Sequence, residues 1–389
     1  QIVKCFRDED LRADRQPEFT QIDIEMSFAT EKLVQTLVEG LVARMCEAAI
    51  GVKLETPFQR MSYDDAMAKY GVDKPDLRFG MEHVDLSALV REHNGGGIKL
   101  FEDVVVAQPA NIVKAMVVPK KHEMSRTEVD KLDDFVKGLG SKGLGRVRLD
   151  DNNGWTQGPF GKVVTPAMRE AVNAATGAGP GDIILFQFGK PDLVHTVLGG
   201  LRVHLRDKLG LVEPDENGVS PAWKLLWVPA LPPFERVEEN GATKFVAAHH
   251  PFTAPRAGDE DRLTSDPASC RARAYDLVLN GNEVAGGSIR IHDPKIQAKV
   301  FTALGISDDD AQRKFGFLLD AMKYGCPPHG GIALGLDRWS MLMCGGTSLR
   351  DVIAYPKTQK GTDLLTDAPT GVSDAQLKEL FIASTAPKE

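Results

Sequence analysis

The sequence predicts an α+β fold in which one sheet-and-helix domain is interrupted by a second α+β module. A chain of 389 residues is longer than one hydrophobic core usually organises. From about residue 75 to residue 210, short strand-like and helix-like runs alternate between glycine-rich turns, and the earlier pattern resumes near Trp223. We therefore expect residues 1–75 and 211–389, the latter with a C-terminal extension, to form the split domain, and residues 76–210 to form the insertion.

Composition points to a globular protein of the cytoplasm. Hydrophobic residues make up 42% and charged residues 26%, and no apolar run approaches the roughly 20 residues that a membrane helix needs. The net charge of −8 argues against bulk coating of nucleic acid, but it allows one folded RNA to dock on a local basic patch. The cysteines are scattered singly, which favours reduced thiols over disulfides or a zinc knuckle: Cys5, Cys46, Cys270, Cys326 and Cys344.

The chain opens directly with a strand-like run, Gln1–Glu9, followed by a polar loop and a second strand, Phe19–Phe28. Because the first residue is not Met and has no polar lead-in, we expect a truncated chain. The second strand alternates, with Thr20, Ile22, Ile24 and Met26 on one face and Phe19, Gln21, Asp23 and Glu25 on the other. Two carboxylates and an amide on one face indicate a pocket floor.

Helix and strand signals continue through the split domain. Thr30 is a predicted N-cap, and the leucines and methionine at every fourth position after it predict an apolar stripe: Leu33, Leu37, Leu41 and Met45. Ser307 caps a second predicted helix through Tyr324. The later predicted strands are Ala274–Leu279, Gly286–His292 and Gly331–Leu336, the last of which leads into a helix at Asp337–Met343.

The insertion is predicted to contain both kinds of element. Its predicted strands are Val104–Ala107, Asn111–Val118 and Asp182–Gln187, and its predicted helices are Ser125–Lys137, Pro166–Ala175 and Asp192–Lys208. The glycine run Gly95–Gly97 is interpreted as a turn, because no Lys-Ser/Thr follows it as a phosphate-binding P-loop requires.

The strongest chemical signal lies at the first predicted hairpin. Arg7 and Glu9 share a strand face, and an arginine fork suits phosphate oxygens. Phe19 offers a flat surface on which a base could stack. Taken alone, an Arg-x-Glu pair is more typical of a salt-bridged hairpin.

Two longer segments carry a family resemblance. FRDEDLRADRQPEFTQID resembles the second signature motif of class II aminoacyl-tRNA synthetases, and GGIALGLDR resembles their third. RADRQPEFTQ and GLDR are similar to the aspartyl, asparaginyl and lysyl subgroup. HHPFTAP and NGNEVAGGSIRIH narrow the resemblance to aspartyl-tRNA synthetases, and the insertion between the two motifs resembles the bacterial type. The resemblance covers essentially the whole chain and implies an antiparallel sheet flanked by helices.

The resemblance also implies roles for individual residues. Arg7 would bind the ATP α-phosphate, and Arg7 and Arg338 would be the catalytic residues. The implied ATP-binding residues are Arg7, Asp8, Glu9, Gln16, Phe19, Glu283, Gly335, Leu336, Asp337 and Arg338. The implied L-aspartate-binding residues are Arg7, Asp23, His249 and Arg290, and the implied Mg²⁺ ligands are Asp276 and Glu283. Ala285 departs from the glycine of many relatives.

The implied activity is aspartate–tRNA ligation. Aspartate would attack the ATP α-phosphate to form aspartyl-adenylate, and the aspartyl group would pass to the 3′ end of tRNA-Asp, with tRNA-Asn as an open second substrate. The family implies a cytoplasmic homodimer when the protein is full-length. Its first motif, part of the dimer interface, and its anticodon-binding domain are expected to be missing here, so we expect this chain alone to be weak or inactive.

The same residues argue against several alternative assignments. An asparagine-directed relative should lack the arginine at position 290, and a non-catalytic tRNA-binding or regulatory paralogue should have lost Arg7, Glu283 or Arg338, yet all are present. The pair His249-His250 could bind a metal, but no cysteine or acidic ligand stands at zinc spacing. Lys120-Lys121 is interpreted as solvated surface, whereas Arg12 and Arg15 lie in a loop expected near the tRNA acceptor end.

Overall fold

The computed structural model describes residues 1–8, 11–213, 222–239 and 241–385. The strands are β1 Ile2–Phe6, β2 Glu18–Ser27, β3 Gln59–Arg60, β4 Val84–Asp85, β5 Ile112–Val118, β6 Gly145–Leu149, β7 Trp155–Thr156, β8 Ile183–Gly189, β9 Leu225–Pro229, β10 Phe234–Glu239, β11 Ala242–Ala247, β12 Ala274–Leu279, β13 Asn282–Ile289 and β14 His329–Gly335.

The α-helices are α1 Glu31–Ile50, α2 Tyr63–Tyr70, α3 Ser87–Glu92, α4 Lys99–Phe101, α5 Arg126–Gly138, α6 Pro166–Thr176, α7 Pro191–Lys208, α8 Arg262–Ser265, α9 Pro294–Ala303, α10 Asp308–Lys323, α11 Leu336–Met343 and α12 Asp374–Glu379. Within the described ranges, no helix combines the length and the apolar character that crossing a membrane requires.

The larger sheet draws its strands from both ends of the chain. Its order is β1-β2-β14-β13-β12-β9-β3, and every neighbouring pair is antiparallel except the short parallel contact of β3 with β9. The predicted antiparallel sheet flanked by helices is thereby confirmed. The apolar residues of β2, Ile22, Ile24 and Met26, pack into the core on one face, as their alternation predicts.

Helix α1 covers the apolar face of this sheet. Thr30 caps it by accepting a hydrogen bond from the Leu33 N–H, which confirms the predicted N-cap. The buried stripe, however, is Val34, Val38, Val42 and Cys46, one position beyond the stripe that the leucines predict. Leu33 and Leu37 are 47% and 45% exposed. Both stripes have helical spacing, and only the tertiary contact with the sheet decides which of them is buried.

Residues 84–189 contribute the strands of a second antiparallel sheet, in the order β4-β5-β8-β6-β7. One face packs against α5 and α7 through residues such as Leu185 and Leu198. The other face packs around Phe101, Phe186 and Met168. This sheet therefore lies between two apolar clusters of its own.

One predicted strand is wrong, and the bounds of two others differ by three residues or more: β13 spans Asn282–Ile289, where the sequence predicts Gly286–His292. Glu102–Val106 is a π-helical turn, where the sequence predicts a strand at Val104–Ala107. Phe101 and Val105, four residues apart, are both fully buried, and a short apolar run is ambiguous between strand and helix without that contact. The first strand ends at Phe6, so Arg7 lies beyond it, and Glu9 lies outside the described residues.

Candidate active site

A cleft of about 630 Å³ lies on the polar face of the larger sheet, opposite α1. It is lined by side chains that alternate with those facing the core along the central strands, including Phe19 and Gln21 of β2, Asp276 of β12, Ser288 of β13 and Ala333 of β14. Residues from the loop before β2 and from the segment after β11 complete its walls. Strand alternation therefore builds the core on one face and this polar cleft on the other.

Two carboxylates meet over a glycine in the floor of the cleft. Asp276 on β12 pairs with Gly286 on β13. A Cβ atom added to Gly286 would lie 2.9 Å from Oδ1 of Asp276 and 3.3 Å from Oε1 of Glu283. Both oxygens therefore point to the space above Gly286, and a larger residue there would occupy that space.

A β-bulge puts Glu283 on the cleft side of β13. Leu277 pairs with Ala285, but the next residue, Val278, pairs with Glu283, so Val284 is the extra residue. Glu283 and Gly286 are three positions apart and would face opposite sides of an uninterrupted strand. The bulge shifts this alternation and brings Glu283 to the side of Asp276. Ala285 is 3% exposed and packs in the core with Leu277, so its methyl group is accommodated there.

Asp276 and Glu283 form an acidic pair that a nearby positive charge would stabilise. Burial of Asp276, together with the negative charges of Glu283 and Asp73, raises the pKa of its carboxyl well above the usual value, and Lys74 opposes this only in part. None of the described residues donates a hydrogen bond to that carboxylate. Among the described residues there is also no cluster of three His, Cys, Asp or Glu side chains suited to a metal. A cation here would take two protein side chains and obtain its other ligands elsewhere.

Arg7 and Phe19 form the wall beside the loop. The guanidinium carbon of Arg7 lies 5.1 Å from the centre of the Phe19 ring. The Arg7 N–H donates to the carbonyl of Pro17 at 2.9 Å, which fixes the start of the loop against its end. Asp8 is exposed and does not line the cleft.

The β14–α11 junction also lines the cleft. Arg338 donates to the carbonyl oxygens of Glu283 at 2.6 Å and Asp14 at 2.8 Å. The carboxylate of Asp337 accepts a hydrogen bond from the Thr20 N–H at 2.6 Å, which ties the junction to β2. Gly335 also lines the cleft, whereas Leu336 does not.

Gln16 lines the cleft, but its amide is engaged with the protein. Its Oε1 accepts from the Lys357 N–H at 2.7 Å, and its Nε2 donates to the Lys357 carbonyl at 3.1 Å. The side chain is 4% exposed. Gln16 therefore fastens the loop before β2 to the C-terminal segment, a role that its position in the sequence does not indicate.

Arg290 follows the end of β13, lines the cleft and is held by several groups. Its Nε and Nη2 donate to the two carboxylate oxygens of Glu25 at 3.2 and 2.9 Å. Its Nη1 donates to the Ser288 hydroxyl and lies 2.7 Å from Nε2 of His250. Glu25, Ser288 and His250 were not predicted as site residues. The available signal was their spacing, since Glu25 lies two residues beyond Asp23 and Ser288 two residues before Arg290.

His250 is a neutral acceptor in this arrangement. Burial, followed by the positive charge of Arg290 and by His249, lowers the pKa of His250 to about 4. At neutral pH the imidazole therefore carries no charge, and its Nε2 can accept from Arg290. His249 lines the cleft with its ring exposed to it.

Asp23 does not line the cleft, although it is near it. It is half-buried, pairs with Ala333 across the sheet, and lies between Gln21, which lines the cleft, and Glu25, which holds Arg290. The structure thus brings most predicted site residues to one cleft: Arg7, Gln16, Phe19, His249, Asp276, Glu283, Arg290, Gly335, Asp337 and Arg338.

Comparison with known proteins agrees with the resemblance in the motifs. The family described as tRNA synthetases class II (D, K and N) matches residues 1–359. An aspartate–tRNA(Asp/Asn) ligase of Anaeromyxobacter dehalogenans is 56% identical over 385 residues, which are 99% of this chain and 63% of that relative. The ligase of the same name from Nitratidesulfovibrio vulgaris is 50% identical over 98% of this chain and 60% of its own length.

A third relative with that name, from Symbiobacterium thermophilum, is 48% identical over 99% of this chain and 64% of its own length. This chain therefore spans less than two thirds of the curated relatives it matches. The match nevertheless extends across both motifs, the acidic pair and Arg290. The chain belongs to the class II tRNA synthetases of the D, K and N group.

Proposed function

We propose that the protein containing this chain is an aspartate–tRNA ligase, which activates L-aspartate with ATP and transfers it to the 3′ end of tRNA-Asp. The observation that carries the proposal is the convergence of Arg7, Arg338, the acidic pair and Arg290 on one cleft. These groups supply positive charge for phosphate and for a carboxylate, and oxygen ligands for a cation.

Arg290 is the proposed anchor for the side-chain carboxylate of aspartate. An arginine that lies in a half-buried polar pocket pairs well with a carboxylate and poorly with an amide, because an amide leaves charge unpaired. Glu25, Ser288 and the neutral His250 fix the plane of the guanidinium. Asp23 is the proposed partner of the substrate ammonium, and His249 adds a polar contact from the cleft wall.

Arg7, Phe19 and Arg338 are the proposed ATP-binding core. Arg7 would neutralise charge on the α-phosphate, and Phe19 would stack against adenine. Gly335, Leu336 and Asp337 would shape the wall around the nucleotide. We propose that Asp8, Glu9 and Gln16 contribute to ATP recognition, with Gln16 acting mainly through the loop that its amide fastens.

The Asp276–Glu283 pair fits a divalent cation. The carboxylate of Asp276 is buried close to a second carboxylate, so a cation would relieve their mutual repulsion. We propose that the pair holds Mg²⁺, whose contribution when bound is to neutralise phosphate charge. Two protein ligands leave the remaining positions for phosphate oxygens and water, which is the coordination that Mg²⁺ prefers.

Catalysis in this cleft needs no protein nucleophile. Aspartate itself attacks the α-phosphate, the bond to pyrophosphate breaks, and the terminal hydroxyl of tRNA later displaces AMP from the adenylate. The contribution of Arg7 and Arg338 is to position the phosphates and to stabilise the charge that develops on them.

We also propose that the full-length protein binds tRNA and forms a homodimer. Its proposed location is the cytoplasm, where tRNA is charged for translation. Exposed apolar side chains in the first 37 residues, such as Ile2, Phe28, Leu33 and Leu37, support a homodimer interface. Because the relatives are named for tRNA(Asp/Asn), both tRNAs should be assayed.

The test is ATP–pyrophosphate exchange with each amino acid in turn, on a chain extended to the length of its relatives. Aspartate should support exchange, and asparagine should not. Exchange supported by another amino acid, or by none while ATP still binds, would reject the proposal. A non-catalytic tRNA-binding paralogue predicts the second result.

We further propose that these 389 residues alone bind ATP and charge tRNA weakly, because they span only 63% of the first relative. Aminoacylation by the 389-residue chain and by the extended chain should be compared under one set of conditions. Equal rates would contradict this part of the proposal and leave the assignment of the reaction intact.

A further inference from the structure

The two carboxylates of the acidic pair lie on the two arms of one tight hairpin. Strand β12 carries Asp276 and ends at Leu279, and β13 begins at Asn282 and carries Glu283. The turn between them consists of Asn280 and Gly281, whose φ angles are 52° and 85°. A two-residue Asn-Gly turn of this kind joins its strands with little freedom, so the tip and the carboxylates move together.

The tip of this hairpin contacts both connections between the larger sheet and the insertion. On the outgoing side, a Cβ at Gly281 would lie 3.3 Å from the Cβ of Asp76. On the returning side, the Asn280 side chain donates to the carbonyl of Ala222 at 2.9 Å and accepts from the Lys224 N–H at 3.0 Å. The tip is therefore contacted by the chain segments on both sides of the insertion.

Asp76 is fixed from the side of the insertion. Its side chain is 1% exposed, and Arg78 donates to both of its oxygens at 2.9 and 2.7 Å. Arg206 of α7 donates to Oδ2 at 3.1 Å. Burial would raise the pKa of Asp76, but these hydrogen bonds outweigh it and leave the pKa lowered. The carboxylate is thus ionised and paired beneath the hairpin tip.

Arg202, one turn earlier on α7, fixes the backbone of the same segment. It donates to the carbonyls of Asp76 at 3.0 Å, Phe79 at 2.7 Å and Gly80 at 2.8 Å. Its guanidinium carbon lies 3.9 Å from the centre of the Phe79 ring and 4.7 Å from that of Tyr70. It is 2% exposed, so these contacts form a closed, buried joint.

We propose that Arg202 and Arg206 are positioning residues for the acidic pair: through Asp76 they hold the Asn280–Gly281 tip, and with it Asp276 and Glu283, in the geometry that MgATP requires. The proposal rests on the assignment of the acidic pair to Mg²⁺ and ATP. It gives the inserted module a role in nucleotide binding, although none of its side chains lines the cleft. Leu77 of the same segment packs against the cluster formed by Leu226, Val228 and Val278, which includes a residue of β12.

The experiment uses the extended chain and the variant Arg206→Met, with Asp76→Asn as a second variant that removes the paired charge. Arg146→Met is the matched control, because Arg146 is also in the insertion, is similarly exposed, and pairs with Asp130 away from the hairpin. Three quantities are measured: hydrogen exchange of the 276–286 peptide without ligand, the Kd for ATP at a series of Mg²⁺ concentrations by calorimetry, and the KM for aspartate.

We expect both variants to speed exchange of the hairpin peptide and to weaken Mg²⁺-dependent ATP binding about threefold to tenfold, with the KM for aspartate within about twofold. Arg146→Met should change none of these quantities. Unchanged hairpin exchange in both variants would overturn the proposal, as would faster exchange with unchanged MgATP affinity, or equal losses for MgATP and aspartate. Failure of the wild-type chain to activate aspartate would reject the proposed reaction. The hydrogen-exchange and ATP-binding measurements would still test whether Arg206 and Asp76 position the acidic pair.

Discussion

Arg290 shows how a single charged side chain is oriented by its neighbours. The Glu25 carboxylate accepts hydrogen bonds from Nε and Nη2 of the guanidinium, and Ser288 and His250 accept from Nη1. Glu25 is 46% exposed, so this ion pair adds little stability, and its main effect is to fix a direction. A charged His250 would repel Arg290, which is why its low pKa matters for the geometry.

Replacing Arg290 by Leu should abolish aspartate-dependent exchange and leave ATP binding nearly intact. The loss should exceed a factor of about one hundred, since a charge-assisted pair would be removed. Arg273→Leu is a suitable control, because Arg273 also makes a bidentate pair, with Glu31, outside the cleft. Aspartate activation that survives in Arg290→Leu within about tenfold would show that another residue binds the carboxylate.

Replacing Glu283 by Gln should raise the Mg²⁺ concentration needed for exchange. The variant keeps the shape of the side chain and removes one of the two charges proposed to bind the cation. The KM for aspartate should change by less than about twofold, because Glu283 lies near the start of β13 and Arg290 follows its end. An unaltered Mg²⁺ requirement would remove Glu283 from the cation site.

Among the helices and strands, the sequence predicts best those features that depend on residues close together in the chain. The N-caps Thr30, Ser125 and Ser307 each accept a hydrogen bond from an N–H three residues ahead, and the helices after Ser125 and Ser307 match their predicted bounds within about a residue or two. The role of Gln16 was not predictable in this way, because its partner Lys357 lies 341 positions away. The π-helical turn at Glu102–Val106 and the buried stripe of α1 likewise depend on neighbours that periodicity does not reveal.

Two buried histidines close to Lys114 of β5, His83 and His195, should make the protein sensitive to acid. Burial, then the charges of Lys114 and Arg202, lowers the pKa of His83 to about 3, and burial with Lys114 lowers that of His195 to about 4. Because both values lie below the 6.5 of an unfolded histidine, the unfolded chain binds protons first as the pH falls. Stability is therefore full above about pH 6.5 and declines toward pH 4.

His83→Leu should flatten this decline, which thermal unfolding between pH 6.5 and 4.5 would measure. The exposed His292 provides the control, since His292→Leu should leave the slope of Tm against pH unchanged. An equally steep slope in His83→Leu would show that His83 does not cause the acid sensitivity.

At the scale of the molecule, the insertion has its own sheet and cores, but its boundary is shared with α2. Lys114 of β5 donates to the carbonyls of Met67 and Ala68 at 2.9 and 2.7 Å, and both acceptors precede the predicted boundary at residue 76. A Cβ at Gly71 would lie 2.5 Å from the His195 carbonyl, so α7 packs against the end of α2 at backbone distance. We propose that the stable unit begins at Tyr63.

Fragments 76–210 and 63–210 test this boundary. Both should unfold cooperatively, but 63–210 should be more stable by about 1–3 kcal/mol, because the buried Lys114 ammonium keeps its two acceptors. Urea unfolding followed by circular dichroism would measure the difference. Equal stabilities would place the N-terminal boundary of the stable unit at residue 76. Two disordered fragments would mean that the insertion depends on the larger sheet.

The position of β14 has a consequence for synthesis on the ribosome. β14 hydrogen-bonds to β2 on one side and to β13 on the other, so the middle of the larger sheet can close only after residue 335 has been translated. The strands of the insertion, residues 84–189, are complete long before that point. During this interval one edge of β2 lacks its partner β14. Its N–H and C=O groups on that edge are unpaired and can pair with another chain. Nascent chains should therefore need chaperone protection mainly at β2, and a ribosome that stalls before β14 should release an aggregating product in which the insertion is already folded.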